Sequence, residues 1–293
     1  MGPIGARAFY EDNRSIFHMY CRRFCFTSPM APLIIAHRGA RSLAPENTLS
    51  AARKAHAVGA DLWELDVAFT KDDALILCHD DNLDRTLGVS RKFWELTLEE
   101  HRALAPGRHF LETDPFGQIA AGNIVNGDKA ELENASVATL QEALQLTRDL
   151  NWKVNIELKR NPAHHPDYPI LTRVFELIDA ENIGPKHVLF SSAIHEWLDE
   201  IKRTRPEFEV QPIVALWPHN PADFGDRRFD TYNVRRTRVF PDDVKRAVDQ
   251  GLAVNVYVVN EEEDMRAFTL AGAAGLITDF PQRLRTLIQE GRL

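Results

Sequence analysis

Short apolar runs alternate with amphipathic stretches along the chain beyond residue 33. Runs at 33–36, 61–70, 155–158, 188–191, 210–215, 253–259 and 275–278 have the length and β-branched content of strands, with a weaker candidate at 231–234. Helical periodicity occupies 46–58, 140–150, 170–180, 194–203 and 281–290, the first stopped by Gly59. Segment 75–78 stands apart. Only Lys71, Asp72 and Asp73 separate it from the second strand, too few for a parallel crossover, so it must fold back as a hairpin. A two-residue turn at Asp72-Asp73 would set Asp66 opposite His79. Eight strands remain, mostly alternating with helices, which predicts an α/β chain folded as a (β/α)8 TIM barrel. Functional groups of that fold gather at the C-terminal strand ends. Between residues 80 and 137 the pattern breaks into an insertion with few periodic apolar positions, placed above the barrel mouth.

At 293 residues, 44% of them hydrophobic, the chain is long enough for one large barrel or two smaller domains. Residues 30–293 carry the barrel pattern. Residues 1–29 mix Arg7, Arg14, Arg22 and Arg23 with Glu11 and Asp12 and lack a continuous apolar segment, so a secretory signal fits poorly. They are expected to be a poorly ordered, dispensable extension, with a short targeting segment as the alternative. A net charge of −8 argues against nucleic acid as a partner. No run approaches the roughly 18 apolar residues of a membrane helix, so no stable membrane insertion is expected. Cys21, Cys25 and Cys78 make no disulfide framework, which favours a reducing, cytoplasmic setting. Oligomeric state stays open.

The chemistry sits at strand ends. Glu64 and Asp66, two apart on a strand, share one face, and two inward carboxylates repel unless a cation lies between them. The plainer alternative is an exposed acidic hairpin edge. Glu157, ending a later strand, can supply a third oxygen. Such a set suits Mg²⁺ or Ca²⁺ better than zinc. His37 and His79 form a natural acid/base pair near neutral pH. Arg38 offers a bidentate fork to phosphate oxygens, and Lys159, on the Glu157 face, adds a point charge or is a solvated strand end. Pro45-Glu46-Asn47-Thr48 opens the first helix. Asn47 or Thr48 can cap it, and Glu46 either favours the helix dipole or reaches substrate hydroxyls. The other histidines, His109, His164, His165 and His219 among them, have no comparable setting and are expected on the surface or in loops.

These residues, in this order, resemble the glycerophosphodiester phosphodiesterases. The matches are His37-Arg38-Gly39, Pro45-Glu46-Asn47-Thr48, Glu64-x-Asp66-Val67, Thr70-Lys71-Asp72 and His79-Asp80-x-x-Leu83-Asp84-Arg85-Thr86. Further on come Thr139-Leu140-x-Glu142-Ala143-Leu144, Ile156-Glu157-Leu158-Lys159 and Ile277-Thr278-Asp279-Phe280-Pro281. The resemblance implies a TIM barrel with a small insertion after the second-strand hairpin. It implies hydrolysis of a small-molecule glycerophosphodiester to glycerol 3-phosphate and an alcohol, with Glu64, Asp66 and Glu157 as metal ligands. His37 and His79 would be general acid and base, and Arg38 and Lys159 would bind phosphate. Two departures, Tyr257-Val258-Val259-Asn260 where the family often has Trp-Thr-Val-Asn and Ser191-Ser192 for Ser-Phe, lie outside the metal and histidine set. They bear on the wall around the alcohol. The competing readings are a lysophospholipase-D-like or sphingomyelinase-D-like enzyme on lipids, and a non-catalytic binding barrel. The polar residues of the insertion, Glu112, Asp114, Asn123, Asn126, Asp128, Glu131 and Glu133, speak against a membrane-seeking mouth.

Overall fold

A computed structural model describes residues 31–163, 165–214 and 228–293. The expected extension 1–29, Ala215, His164 and His219 lie outside the described residues.

Among the described residues, eight parallel strands close into a barrel. In chain order the first part is β1 (Leu33–Ala36), α1 (Leu49–Ala57), β2 (Leu62–Phe69) and β3 (Leu75–Leu77). Four short helices follow: α2 (Asp84–Leu87), α3 (Leu98–Arg102), α4 (Pro106–Thr113) and α5 (Asn126–Glu133). Then come α6 (Leu140–Asp149), β4 (Val154–Leu158), α7 (Ile170–Ala180), β5 (Val188–Ser192), α8 (His195–Thr204) and β6 (Glu209–Val214). The chain closes with β7 (Thr231–Arg235), α9 (Pro241–Asp249), β8 (Ala253–Tyr257), α10 (Glu262–Leu270), β9 (Gly275–Thr278) and α11 (Pro281–Gln289). The sheet runs β1-β9-β8-β7-β6-β5-β4-β2, and a β1–β2 pairing shuts it. The expected TIM barrel is therefore the observed one, with β3 as a ninth, antiparallel strand on the overhanging end of β2.

Strand alternation decides what each face carries. On β2, Trp63, Leu65, Val67 and Phe69 join the large apolar layer between strands and helices. The opposite face begins with Leu62, which packs with Ile35, Leu189 and Ile277 as a plug inside the barrel. Glu64 and Asp66 continue along that inner face above the plug. Helix α6 shows how the outer layer is held. Thr139 and Glu142 form a reciprocal cap at its start. Leu140, Ala143, Leu144 and Thr147 are buried at helical spacing, and each buried leucine contributes about 2 kcal/mol. Thr147 accepts a 3.1 Å hydrogen bond from the Trp63 indole, locking helix to strand.

Three expectations change. Segment 80–137 forms short helices over two small apolar clusters, one around Ile76, Leu83 and Phe93 and the other around Phe110, Ile124 and Leu132. Helices of four to eight residues are too short to show a clear period. The first helix begins at Leu49, not at residue 46, because Asn47 adopts a left-handed φ of 56° and Thr48 is the cap. The hairpin register also shifts by one. Thr70 N–H donates to Ala74, leaving a three-residue loop, and Cys78, not His79, pairs with Asp66. Asp73 takes the left-handed position of that loop, with φ of 64°.

Candidate active site

The mouth is built where β1, β2, β3, β4 and β9 end. After β1 the chain turns sharply through His37, Arg38 and Gly39. Arg38 and Gly39 both have positive φ, and a Cβ on Gly39 would fall 2.6 Å from the Ala51 Cβ, so only glycine lets the turn lie against α1. The Arg38 N–H donates 2.9 Å to Glu64 Oε2, which ties the turn to the inner face of β2. Asn47 donates 2.9 Å to Asp66 Oδ2, while its own N–H bonds the Arg38 carbonyl.

Parallel register sets Asp66 beside Glu157 on β4. Glu64, Asp66 and Glu157 present carboxylate oxygens within 4.8 Å of one another. Glu64 Oε1 and Asp66 Oδ1 are buried with no hydrogen-bond partner. Burial, then the charges of Asp66 and Glu157, raise the Glu64 carboxyl well above its ordinary range. Burial, then Asp66, push Glu157 up to about 6. For Asp66 burial acts upward too, but the charges of Arg38, His79 and Lys159 and the Asn47 hydrogen bond hold it at about 2. Lys159 Nζ stands 3.7 Å from Asp66 and 3.8 Å from Glu157. Orphaned, oxygen-only, mutually repelling ligands fit a hard divalent cation.

Each histidine has a carboxylate on Nδ1. His37 lies 2.6 Å from Asp279 Oδ1, and Asp279 is fixed in turn by a 2.8 Å hydrogen bond from Asn260. Burial lowers the His37 pKa; the charges of Arg38 and Arg41 act the same way, and the Asp279 hydrogen bond offsets them in part. His79, following β3, lies 2.5 Å from Asp80 Oδ1. Asp80 accepts from Arg85 Nε at 2.6 Å, and Arg85 forks onto Glu46 with two bonds of 2.7 Å. Glu46 also holds Arg38 at 2.8 Å and Arg41 at 2.9 Å, so both its oxygens are engaged by guanidinium groups. Arg38 Nε also lies 3.2 Å from Asp66 Oδ2 as an ion pair.

Thus all eight residues singled out from the sequence, His37, Arg38, Glu46, Glu64, Asp66, His79, Glu157 and Lys159, lie at one barrel mouth. Sequence reasoning gave no site role to Arg41, Asn47, Asp80, Arg85, Asn260 or Asp279. Asp80 adjoins His79, and Asp279 follows the last strand, a position at which an acid was already suspect elsewhere in the chain. Arg41 carries no local signal, and Arg85 appears only as a position of the run 79–86 that resembles the family. His109, expected on the surface or in a loop, sits half-buried on α4 with Nε2 at 3.1 Å from the Arg85 carbonyl.

A parallel barrel carrying paired imidazoles, guanidinium groups and a carboxylate cluster at its mouth has the architecture of a barrel phosphodiesterase. Residues 37–283 match the glycerophosphoryl diester phosphodiesterase family, and the chain belongs to that family. It is 30% identical to the glycerophosphodiester phosphodiesterase of Caldanaerobacter subterraneus subsp. tengcongensis, over 89% of this chain and 100% of that protein. A solved candidate glycerophosphoryl diester phosphodiesterase from Silicibacter pomeroyi matches with a TM-score of 0.73 and 26% identity, covering 90% of this chain and 95% of that one. A phosphodiesterase of Oleispira antarctica, solved with its product sn-glycerol 3-phosphate, shares the fold with a TM-score of 0.72 at 22% identity, covering 88% and 97% of the two chains. No helix among the described residues is long and apolar enough to cross a membrane.

Proposed function

We propose that this chain hydrolyses glycerophosphodiesters to glycerol 3-phosphate and an alcohol, with His37 and His79 exchanging protons beside a divalent cation held by Glu64, Asp66 and Glu157. The observation that carries this reading is the pair of buried carboxylate oxygens of Glu64 and Asp66 that lack a hydrogen-bond partner, with Glu157 within 4.8 Å. When bound, a cation such as Mg²⁺ or Ca²⁺ would neutralise charge on the phosphoryl oxygens.

The chain's own residues supply the remainder. With Nδ1–H donated to Asp279, His37 keeps the Nε2 lone pair, and its lowered pKa favours the neutral form. It takes the proton from the attacking water as the new O–P bond forms. His79, held through Nδ1 by Asp80, gives a proton to the alkoxide as the P–O bond to the alcohol breaks. Lys159 faces the same carboxylates from β4 and, with Arg38, balances the dianionic character of the transition state. Glu46, with both oxygens taken by Arg38, Arg41 and Arg85, holds guanidinium groups in place instead of contacting substrate hydroxyls.

Purified His37→Ala and Glu64→Ala variants, assayed for glycerol 3-phosphate release from glycerophosphocholine, are expected to lose at least about a hundredfold in rate, the scale of a general base. Their circular dichroism should stay that of the wild type. A folded variant of either kind with near-normal turnover would overturn the assignment.

A further inference from the structure

Beside the His79 end of the mouth lies a cavity of about 330 Å³, between the barrel and the insertion helices. That is within the range of small-molecule sites, about 300–1,000 Å³. It equals roughly eleven times the ~30 Å³ that a water occupies in the liquid. Ile76, Leu83, Leu87, Phe110, Phe116 and Val137 line it, so the insertion that reads as polar in sequence turns an apolar side inward. Its polar residues Glu112, Asn123, Asn126, Glu131 and Glu133 are exposed and do not line the cavity.

The cavity is continuous with the catalytic mouth, since Arg41, Glu46, Asn47, His79 and Arg85 also border it. Those charges are already matched. Glu46 is engaged by three arginines, and Arg85 divides itself between Glu46 and Asp80. The two histidines on the wall, His101 and His109, each use Nε2 at a backbone carbonyl, of Phe93 and of Arg85. A cationic alcohol group entering here finds no carboxylate without a cation of its own. An apolar group finds an apolar wall, and burying it is favourable at about 25 cal/mol per Å².

We infer that this cavity receives an apolar arm of the diester, so that the enzyme favours glycerophosphodiesters esterified to a hydrocarbon chain over those esterified to a small charged alcohol. The inference rests on the hydrolase reading above, which supplies the mouth that the cavity adjoins.

Two substrates test it: glycerol 3-phosphate esterified to octanol and glycerol 3-phosphate esterified to ethanolamine. Wild-type kcat/KM is expected to favour the octyl diester at least tenfold. Leu87→Trp, which fills the cavity from α2, should cut that ratio at least fivefold. Thr113→Trp, from the end of α4, should do the same and stands in if the first variant fails to fold. Equal kcat/KM for the two diesters, or a ratio unmoved by a folded Trp variant, overturns the inference. Calorimetric binding of both diesters separates this from the parent reading. If neither is cleaved but the octyl diester binds at least tenfold more tightly and loses that margin in Leu87→Trp, the hydrolase reading fails and the cavity assignment stands. Equal binding sinks the cavity assignment.

Discussion

His37 and His79 each spend Nδ1 on a carboxylate, which leaves Nε2 as the nitrogen that can move a proton. Asp279→Asn removes the carboxylate charge, and with it the charge-assisted hydrogen bond, that raises the His37 pKa against burial and the two arginines. A base must be neutral to act, so activity falls as pH drops through its pKa. Lowering that pKa should move the acidic limb of the kcat/KM profile to lower pH while kcat falls about a hundredfold. An unmoved limb with near-normal kcat would contradict the pairing. Glu46 gives a second prediction at this scale. Burial pushes its carboxyl up, but the Arg85 hydrogen bonds and the charges of Arg41, Arg38 and Arg85 outweigh that and hold it far below its ordinary 4.5. A depressed carboxyl contributes stability above its unfolded pKa and loses it as pH falls. Glu46→Gln should therefore cost about 3 kcal/mol at pH 7 by denaturant titration, with the deficit shrinking below pH 4.5. A deficit that does not change with pH would show that charge is not the cause. The three carboxylates and the two histidines were legible in the sequence because they end strands beside apolar runs. Their partners were less so, since Arg41 and Arg85 become meaningful only once the turn after β1 and the helix α2 meet at Glu46.

The β2–β3 hairpin shows what an element-level pattern can and cannot specify. Its existence followed from three intervening residues, too few for a crossover. Its register depended on the turn, and the favoured two-residue turns need φ above zero at the first central position (type II′) or at both (type I′), a poor match to Asp72-Asp73, which lacks glycine. The chain instead uses one left-handed residue, Asp73, inside a loop braced by Thr70. The Thr70 hydroxyl bonds Asp72 at 2.5 Å and accepts from Ala74 N–H at 3.0 Å. Asp73→Val should cost about 1–2 kcal/mol, because a Cβ-branched residue is strained at positive φ, while Asp73→Gly should not destabilise. Urea titration of the two variants checks this, and equal midpoints would rule out the left-handed loop. The insertion lay beyond such reading for another reason. Its helices are short, and their apolar positions are fixed by contacts with β3 and α1 that no local period encodes.

Over the whole molecule, barrel closure converts sequence separation into proximity. Asp66 and Glu157 are far apart in the chain yet share a register position on adjacent strands, and β9 pairs with β1 so that Asp279 reaches His37. The fold class was readable because eight strands, most with helices between them, admit few arrangements. The depth of the site was not, because it depends on how far β2 overhangs its neighbours to carry β3 and the insertion. The central claim is that three inward carboxylates hold a divalent cation that hydrolysis needs. It is tested most directly by following glycerol 3-phosphate release from glycerophosphocholine after exhaustive chelation and then after adding back Mg²⁺ or Ca²⁺. Activity should vanish with the chelator and return with one of the two ions in the wild type, and not return in Glu64→Ala. Undiminished turnover in the chelated enzyme would contradict the account.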